Sequence, residues 1–300
     1  MSKWIPNIEK KATEGAVLLG LLGHGISSSR TPRMHINEGQ AQGIDIDYRL
    51  LDFAGRTDEP PLNEVLDKIQ AAGFNGINVT FPYKQSVLPH LDVLSESVRA
   101  IGATNTIVFR DGERHGHNTD SWGFGESFRR GMANTIRDKV LLIGAGGAGS
   151  AVANALVMEN IGQLLICDTN IDAAERLAHA LNHSFGADRA CAVTDLPDAA
   201  HHANGIVNST PIGMEKLPGL PLPTECIQAH HWVADVVYFP LETELLAAAR
   251  AKGCRVLSGA GMALFQAVRA FELFTNLPAN PTRMQATFDH WPSGLNDGGR

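Results

Sequence analysis

Two periodicities alternate along this chain. Ala16 to Leu22 is an apolar run closed by Gly23, the pattern of a short buried strand. A Gly/Ser loop follows from Gly23 to Arg30. Pro32 then stands where the first turn of a helix tolerates proline, opening a helix toward Gln42. Asp45 to Phe53 alternates with the period of two that a strand requires. Leu62 to Ala72 switches to helical spacing and stops at Gly73, and Gly76 to Phe81 is strand-like again. Strand, helix, strand, helix, strand predicts a parallel α/β sheet. Asn105 to His117 reads as a hairpin that turns at Asp111-Gly112, a strong turn dipeptide.

The alternation restarts near Lys139. Val140 to Ile143 is a strand, a glycine loop follows, and a helix runs from about Ser150 to Asn160. Gln163 to Cys167 is the next strand, Asp172 to Asn182 a helix, and Ala190 to Val193 a short strand. Gly205 to Asn208, Trp232 to Val237 and Arg255 to Leu257 complete a run of strands. Met262 to Thr275 is helical, and another short helix follows Leu277-Pro278. The tail from Pro292 is rich in Pro, Ser, Gly and Asn and is expected to be disordered.

Composition narrows the class. A chain of 300 residues fits two domains, and 44% hydrophobic with 19% charged residues is an ordinary globular balance. The net charge of -7, without a basic tract, points to no nucleic-acid partner. Cys167, Cys191, Cys226 and Cys254 lie far apart, with neither CxxC nor Cys/His ligand spacing, and are expected to be reduced core thiols. The twelve histidines include the pairs His201-His202 and His230-His231 but no HxxH or HExxH, so no metal is expected. Met1 to Thr13 is polar and lacks the apolar stretch of a secretory signal. No run of about 18 apolar residues exists, and a membrane partner is not expected. The expected location is the cytoplasm.

Candidate chemistry begins at Gly144-Ala145-Gly146-Gly147-Ala148-Gly149, which spells GxGxxG after a strand and before a helix. In that context Gly144 permits the tight turn, Gly146 lets the backbone approach a pyrophosphate, and Gly149 lets the helix pack on the sheet. The helix N-terminus offers free N–H groups to phosphates. A glycine-rich turn with no ligand would be spelled the same way. Asp168 ends the next strand, near the offset expected of an acid that binds the adenosine ribose diol. Its charge would repel a 2′-phosphate, and Thr169, Asn170 and Ile171 supply no arginine to clamp one. Both facts favour NAD over NADP. An aspartate capping the next turn would occupy the same position. Lys84 and Asp120 offer a lysine and a carboxylate suited to moving a hydroxyl proton, although most such pairs are structural.

Several ordered motifs together resemble the shikimate/quinate dehydrogenase family, from about Val17 to Phe288. They are Ser29-Arg30-Thr31-Pro32, Asn78-Val79-Thr80 with Lys84, Gly102-Ala103-Thr104-Asn105-Thr106, and Asn118-Thr119-Asp120. After the glycine loop come Asn208-Ser209-Thr210-Pro211-Ile212-Gly213-Met214, Asp235-Val236-Val237-Tyr238, and Gly259-Ala260-Gly261-Met262 leading to Gln266.

The resemblance implies a two-domain α/β fold. An N-terminal substrate domain over 1–120 is completed by C-terminal helices over 258–291. A Rossmann-like dinucleotide domain covers 121–257, and 292–300 form the tail. It implies Lys84 and Asp120 as the catalytic pair, and Ser29, Thr31, Asn78, Thr80, Asn105, Tyr238 and Gln266 as substrate residues. The coenzyme residues would be the glycine loop from Gly144 to Gly149, Asp168, Asn208, Thr210, Pro211, Gly213, Met214, Val237 and Gly259. These types suit a polyhydroxylated ring acid, with hydroxyls for its carboxylate and amides for its ring hydroxyls. Where many strict shikimate dehydrogenases carry serine, this chain has Thr31, and Asp168-Thr169-Asn170 replaces an Asn-Arg-Thr-like phosphate clamp. Both departures look like the NAD-dependent quinate/shikimate branch. The expectation is therefore NAD-dependent oxidation of quinate or shikimate to a 3-dehydro ketone, by a monomer or homodimer. Two alternatives remain: an NADP-type biosynthetic shikimate dehydrogenase, and a ligand-sensing homologue that has lost catalysis.

Overall fold

In the computed structural model, which describes Ile8 and residues 15–290, the chain divides into two compact units. The expected tail, 292–300, lies outside the described residues. Unit one comprises Met1–Val93, Thr106–His115 and Ala267–Arg300, and unit two comprises Leu94–Asn105 and Gly116–Gln266.

The first unit opens with β1 (Val17–Gly23), α1 (Thr31–Ala41), β2 (Ile46–Asp52), α2 (Leu62–Ala71), β3 (Gly76–Val79) and the single-turn α3 (Tyr83–Ser86). Then come β4 (Val93–Leu94), β5 (Thr106–Arg110) and β6 (Glu113–His117); α4 (Glu96–Ile101), between β4 and β5 in the chain, groups with the second unit. The sheet order is β2-β1-β3-β5-β6-β4. β1 pairs in parallel with β2 and β3 as expected, placing Leu21 beside Asn78. β3 pairs antiparallel with β5, which sets Asn78 opposite Thr106. The hairpin turns where expected, with Asp111 at φ 54 and Gly112 at φ 82, the two left-handed residues that a tight hairpin needs. β1 is apolar throughout because both of its faces are covered. Leu18 and Leu22 pack in one cluster with Phe53, Leu66 and Ile77, while Leu19 packs in another with Ile46, Phe271 and Phe274.

The second unit contains α5 (Thr119–Gly131), β7 (Lys139–Ile143), α6 (Gly147–Met158), β8 (Gln163–Cys167), α7 (Ile171–Phe185) and β9 (Ala190–Ala192). It continues through α8 (Leu196–His202), β10 (Gly205–Asn208), β11 (Trp232–Asp235), α9 (Glu244–Ala251), β12 (Arg255–Leu257) and the first half of α10 (Ala260–Thr275). α11 (Pro281–Asp289) then belongs to the first unit. The second sheet runs β12-β11-β10-β7-β8-β9, with every neighbour parallel. Strand order therefore reverses between β7 and β10, the doubly wound topology whose ligands bind beyond the carboxyl ends of the strands. Among the described residues no helix is long and apolar enough to cross a membrane.

α5, thirteen residues long, has no counterpart in the sequence pattern. Its Gly123 and Gly125 lower helix propensity. Packing explains Gly123: a Cβ there would lie 2.6 Å from the Gln266 nitrogen and 2.8 Å from the Met262 carbonyl. A side chain at Gly261 would likewise strike Ser127, at 2.1 Å from its Oγ. The two helices touch through missing side chains, which tertiary contact rewards and local propensity penalises. The compact units also cut the chain differently from 1–120 with 258–291 and 121–257. Residues 94–105, 116–120 and 258–266 group with the second unit, where α4 and α5 pack on α6.

Candidate functional site

The glycine loop leaves β7 at its carboxyl end and opens α6. Its three motif glycines are required for three different reasons. Gly144 sits at φ 104, a left-handed conformation. Gly149 has no room for a side chain, since its Cβ would lie 2.2 Å from the Gly144 carbonyl oxygen. Gly146, the N-cap of α6, has an ordinary backbone (φ -76) and nothing within 4 Å of a Cβ. Among the described residues nothing excludes a side chain there, which leaves its N–H open to whatever approaches the loop. Bare N–H groups at a helix N-terminus fit a pyrophosphate.

Asp168 stands one residue beyond β8 and is built into this loop. Its Oδ2 accepts from the Ala145 N–H at 2.6 Å and its Oδ1 accepts from the Asn170 N–H at 2.8 Å. The cap of α7 is Asn170, whose side chain accepts from the Ala173 N–H at 3.3 Å. The Thr169 hydroxyl also lies 3.4 Å from Asp168 Oδ1, so these three bonds occupy three of a carboxylate's about four acceptor positions. Asp168 thus turns the chain and ties the start of α7 to the glycine loop.

The loop after β10 is organised from within. Asn208 is fully buried and uses its whole hydrogen-bonding capacity. Its Oδ1 accepts from the Thr210 N–H at 3.0 Å and from the Thr210 hydroxyl at 2.7 Å. Its Nδ2 donates to the Ile212 carbonyl at 3.0 Å and to Asp235 at 2.9 Å. With its side chain buried and its side-chain donors and acceptors engaged, Asn208 shapes the Thr210–Gly213 turn. Gly259 is also explained by the chain itself, because a Cβ would lie 2.2 Å from the Val236 carbonyl oxygen. Asp235, which sequence reasoning left without a role, anchors this frame. It accepts from Val237 N–H at 2.9 Å and from the Thr243 hydroxyl at 2.7 Å. Burial pushes its carboxyl above the ordinary range, against the pull of the Thr243, Val237 and Asn208 hydrogen bonds. Pro211 and Met214 are exposed, Gly213 is buried at φ 102, and Val237 is buried. The Ser209 hydroxyl lies 2.9 Å from both the Ile143 and Gly144 carbonyls, tying this loop to the glycine loop.

In the first unit, candidate substrate residues gather at the carboxyl ends of β1 and β3. Ser29 and Thr31 flank Arg30 at the start of α1, and the Ser29 Oγ accepts from the Thr31 N–H at 3.3 Å. Arg30 donates to the Phe288 carbonyl at 2.9 Å and lies over the Phe288 ring. Asn78 is buried in β3, where it accepts from the Tyr48 hydroxyl at 2.7 Å and donates to Thr106 Oγ1 at 3.1 Å. These two partners fix which way the amide points and leave one Nδ2 hydrogen to offer. Thr80 and Lys84 are half-buried on the following turn.

In the second unit, Asn105 is buried and holds Thr119. Its Oδ1 accepts from the Thr119 N–H at 2.7 Å and its Nδ2 donates to Thr119 Oγ1 at 2.9 Å. Asn118 caps α5 by accepting from the Ser121 N–H at 3.1 Å. Asp120, also buried, therefore sits in a first helical turn secured from both sides. A carboxylate is favoured at that end of a helix. Tyr238 is half-buried beyond β11, and Gln266 is half-buried on α10, where its Nε2 donates to the Ala263 carbonyl at 3.1 Å. Tyr48 escaped the sequence reading, and Thr106 and Thr119 stood within the quoted motifs without a role of their own, because what each does is hold another side chain.

Residues 21–107 match the family model described as the shikimate dehydrogenase substrate binding domain, and residues 128–213 match shikimate / quinate 5-dehydrogenase. A quinate/shikimate dehydrogenase (NAD(+)) of Corynebacterium efficiens is 46% identical over 277 residues, covering 91% of this chain and 98% of the relative. The chain belongs to the shikimate/quinate dehydrogenase family. A shikimate dehydrogenase (NADP(+)) of Streptomyces avermitilis is also 46% identical over 277 residues, covering 91% of this chain and 95% of the relative. Among solved structures, the quinate dehydrogenase of Corynebacterium glutamicum in complex with NAD superposes with a TM-score of 0.88 at 45% identity, covering 92% of this chain and 99% of that one. The fold is that of the shikimate/quinate dehydrogenases.

Proposed function

We propose that this protein is an NAD-dependent quinate/shikimate dehydrogenase that oxidises a ring hydroxyl of the acid to the 3-dehydro ketone. The observation that carries the reading is Asp168, a negative acceptor joined to the glycine loop through Ala145 at 2.6 Å, with Thr169, Asn170 and Ile171 after it and no arginine. A phosphate at the ribose 2′ position would meet that charge, and contact between like charges costs several kcal/mol. Overall identity does not choose the coenzyme, since relatives named for NAD(+) and NADP(+) are equally similar. The local residues favour NAD.

The α6 N-terminus and the Gly144–Gly149 backbone would hold the pyrophosphate, and Asp168 the ribose diol. Bound there, NAD would supply the hydride acceptor, nicotinamide C4, for oxidation at the alcohol carbon. Lys84 removes the hydroxyl proton in that direction and returns it in reverse, with Asp120 as its acid–base partner. Ser29 and Thr31 offer hydroxyls to the acid's carboxylate, and Asn78 offers its remaining N–H to a ring hydroxyl. Steady-state kinetics with quinate and shikimate, each against NAD and NADP, test the reading. Oxidation of quinate with NAD is expected. Turnover of shikimate with NADP alone would mean the biosynthetic alternative, and turnover of neither acid would mean a homologue without this catalysis.

A further inference from the structure

The loops after β1 and β3 carry Ser29, Thr31 and Lys84, and they are strapped together by groups that the site as described does not use. The His24 N–H donates to the Phe81 carbonyl at 3.0 Å, and the Thr80 N–H donates to the Leu22 carbonyl at 2.9 Å. Asp52, ending β2, accepts from the N–H groups of Gly25 at 2.9 Å and Ile26 at 3.0 Å, fixing the start of the Ser29 loop. Beyond these lies a three-member side-chain cluster. The Tyr83 hydroxyl donates to Glu59 and lies 2.8 Å from His24 Nε2, which is itself 3.2 Å from the Glu59 carboxylate. The Tyr83 ring is buried among Phe53, Val79 and Val87, edge-on to both Phe53 and His24. Burial, then the Glu59 and Asp52 charges, push its phenol far above the ordinary range, so the hydroxyl remains a donor.

Two features give this cluster a purpose. Phenylalanine would fill the same apolar space, so the hydroxyl needs a reason of its own. α3 is a turn of four residues, too short for its own hydrogen bonds to fix the direction of its side chains. Lys84 is the next residue after Tyr83 on that turn. We propose that Tyr83, held by Glu59 and His24, is a positioning group for Lys84, locking the α3 turn against the loop that leads to Ser29 and Thr31. The proposal rests on the reading of Lys84 as the base.

Tyr83→Phe removes only the hydroxyl. Its kcat on quinate or shikimate is expected to fall about tenfold, within the range that a small misplacement of a reacting group costs, with the KM for NAD nearly unchanged. Glu59→Ala is expected to give the same loss, and the double variant no more than either alone, as for two members of one unit. Glu59→Gln, which keeps an acceptor for the phenol, is expected to recover most of what Glu59→Ala loses. Amine labelling followed by mass spectrometry reads the same effect without turnover: Tyr83→Phe is expected to change the labelling rate of Lys84 and leave that of Lys139 as it was. A Tyr83→Phe protein with parental kcat, KM and Lys84 labelling, altered at most in Tm, would overturn the proposal. If the parent oxidises neither acid, it is the functional reading that has failed, and the labelling comparison alone then decides the positioning role.

Discussion

Replacing the second and third motif glycines one at a time separates ligand approach from packing. A methyl at Gly149 would lie 2.2 Å from the Gly144 carbonyl oxygen, 2.9 Å from its carbon and 3.0 Å from Ser209 Oγ. That is more than 1 Å short of ordinary contact against backbone atoms, so the loop and helix must part. Overpacking of this kind costs about 1–3 kcal/mol. Domains of this size lose about 2–4 °C of Tm per kcal/mol, so Gly149→Ala is expected to melt several degrees lower without coenzyme. Gly146→Ala meets nothing within 4 Å, and its backbone at φ -76 admits any residue. Loss of unfolded-state entropy would stabilise it by about 0.4–1 kcal/mol. Losing glycine at an N-cap costs a similar amount, so the two effects nearly cancel and Tm should stay within about 2 °C. Its methyl points where the pyrophosphate is proposed to lie, and NAD affinity is expected to fall about tenfold, or about 1.4 kcal/mol. Thermal melts without coenzyme and an NAD titration by fluorescence check both arms. Parental NAD affinity in Gly146→Ala, or a parental Tm in Gly149→Ala, would refute the assignment.

Four further outcomes are expected. The kcat/KM with NAD should exceed that with NADP, and Asp168→Asn should weaken NAD and narrow that preference, because it removes both the charge that opposes a 2′-phosphate and one of the two oxygens that accept from Ala145 and Asn170; equal or reversed preference in the parent would sink the argument. Lys84→Ala should lower kcat by about 10²–10⁴-fold and Asp120→Asn should lose most activity, whereas a Lys84→Ala enzyme close to the parent would remove Lys84 from catalysis. Thr31→Ser deletes one methyl and keeps the hydroxyl, so the quinate-to-shikimate ratio of kcat/KM should move, and an unchanged ratio would show that Thr31 does not sense the ring. Burial lowers His35 and His231 from 6.5 to about 4, so between those values the unfolded chain binds protons that the folded chain refuses. Stability from this source is complete above about pH 6.5 and declines as pH falls toward 4; urea midpoints at about pH 5 and pH 7 check the sign, and a midpoint no lower at pH 5 would contradict it.

The parts legible in the sequence are those whose reason is local. β1, β2, β3 and β7 announce themselves by apolar runs or alternation, and the hairpin by Asp111-Gly112. Gly144 is legible because a left-handed turn needs glycine whatever surrounds it. Elements justified by distant partners were not legible. α5 carries two glycines that weaken it as an isolated helix, and Gly123 is there for the Gln266 and Met262 backbone. Asn208 is spelled as part of a coenzyme motif, yet its four hydrogen bonds end on Thr210, Ile212 and Asp235. Tyr48 gives no signal as a β-strand tyrosine, and its part in orienting Asn78 follows only from the β1 register that joins β2 to β3.

The same distinction explains how relatives with either coenzyme can be equally similar to this chain. The frame that presents a dinucleotide is made of buried, mutually satisfied parts: Asp235 with Asn208 and Thr243, Ser209 on the Gly144 carbonyl, and Gly259 under the Val236 carbonyl. None of these is proposed to touch the adenosine ribose, so on the proposed reading the frame would serve NAD and NADP alike. Choice falls to the few residues after β8. There a single carboxylate is a strut for the Ala145 N–H and, on the proposed reading, also the charge that would face the ribose. A substitution that removes the charge also alters the strut, so a coenzyme switch at Asp168 would be coupled to the order of the glycine loop. An arginine at Thr169 can attract a phosphate, but it gains full effect only if the residue replacing Asp168 still accepts from Ala145. Serine or asparagine at 168 retains one acceptor and aliphatic residues retain none, which ranks the variants worth making before any is measured.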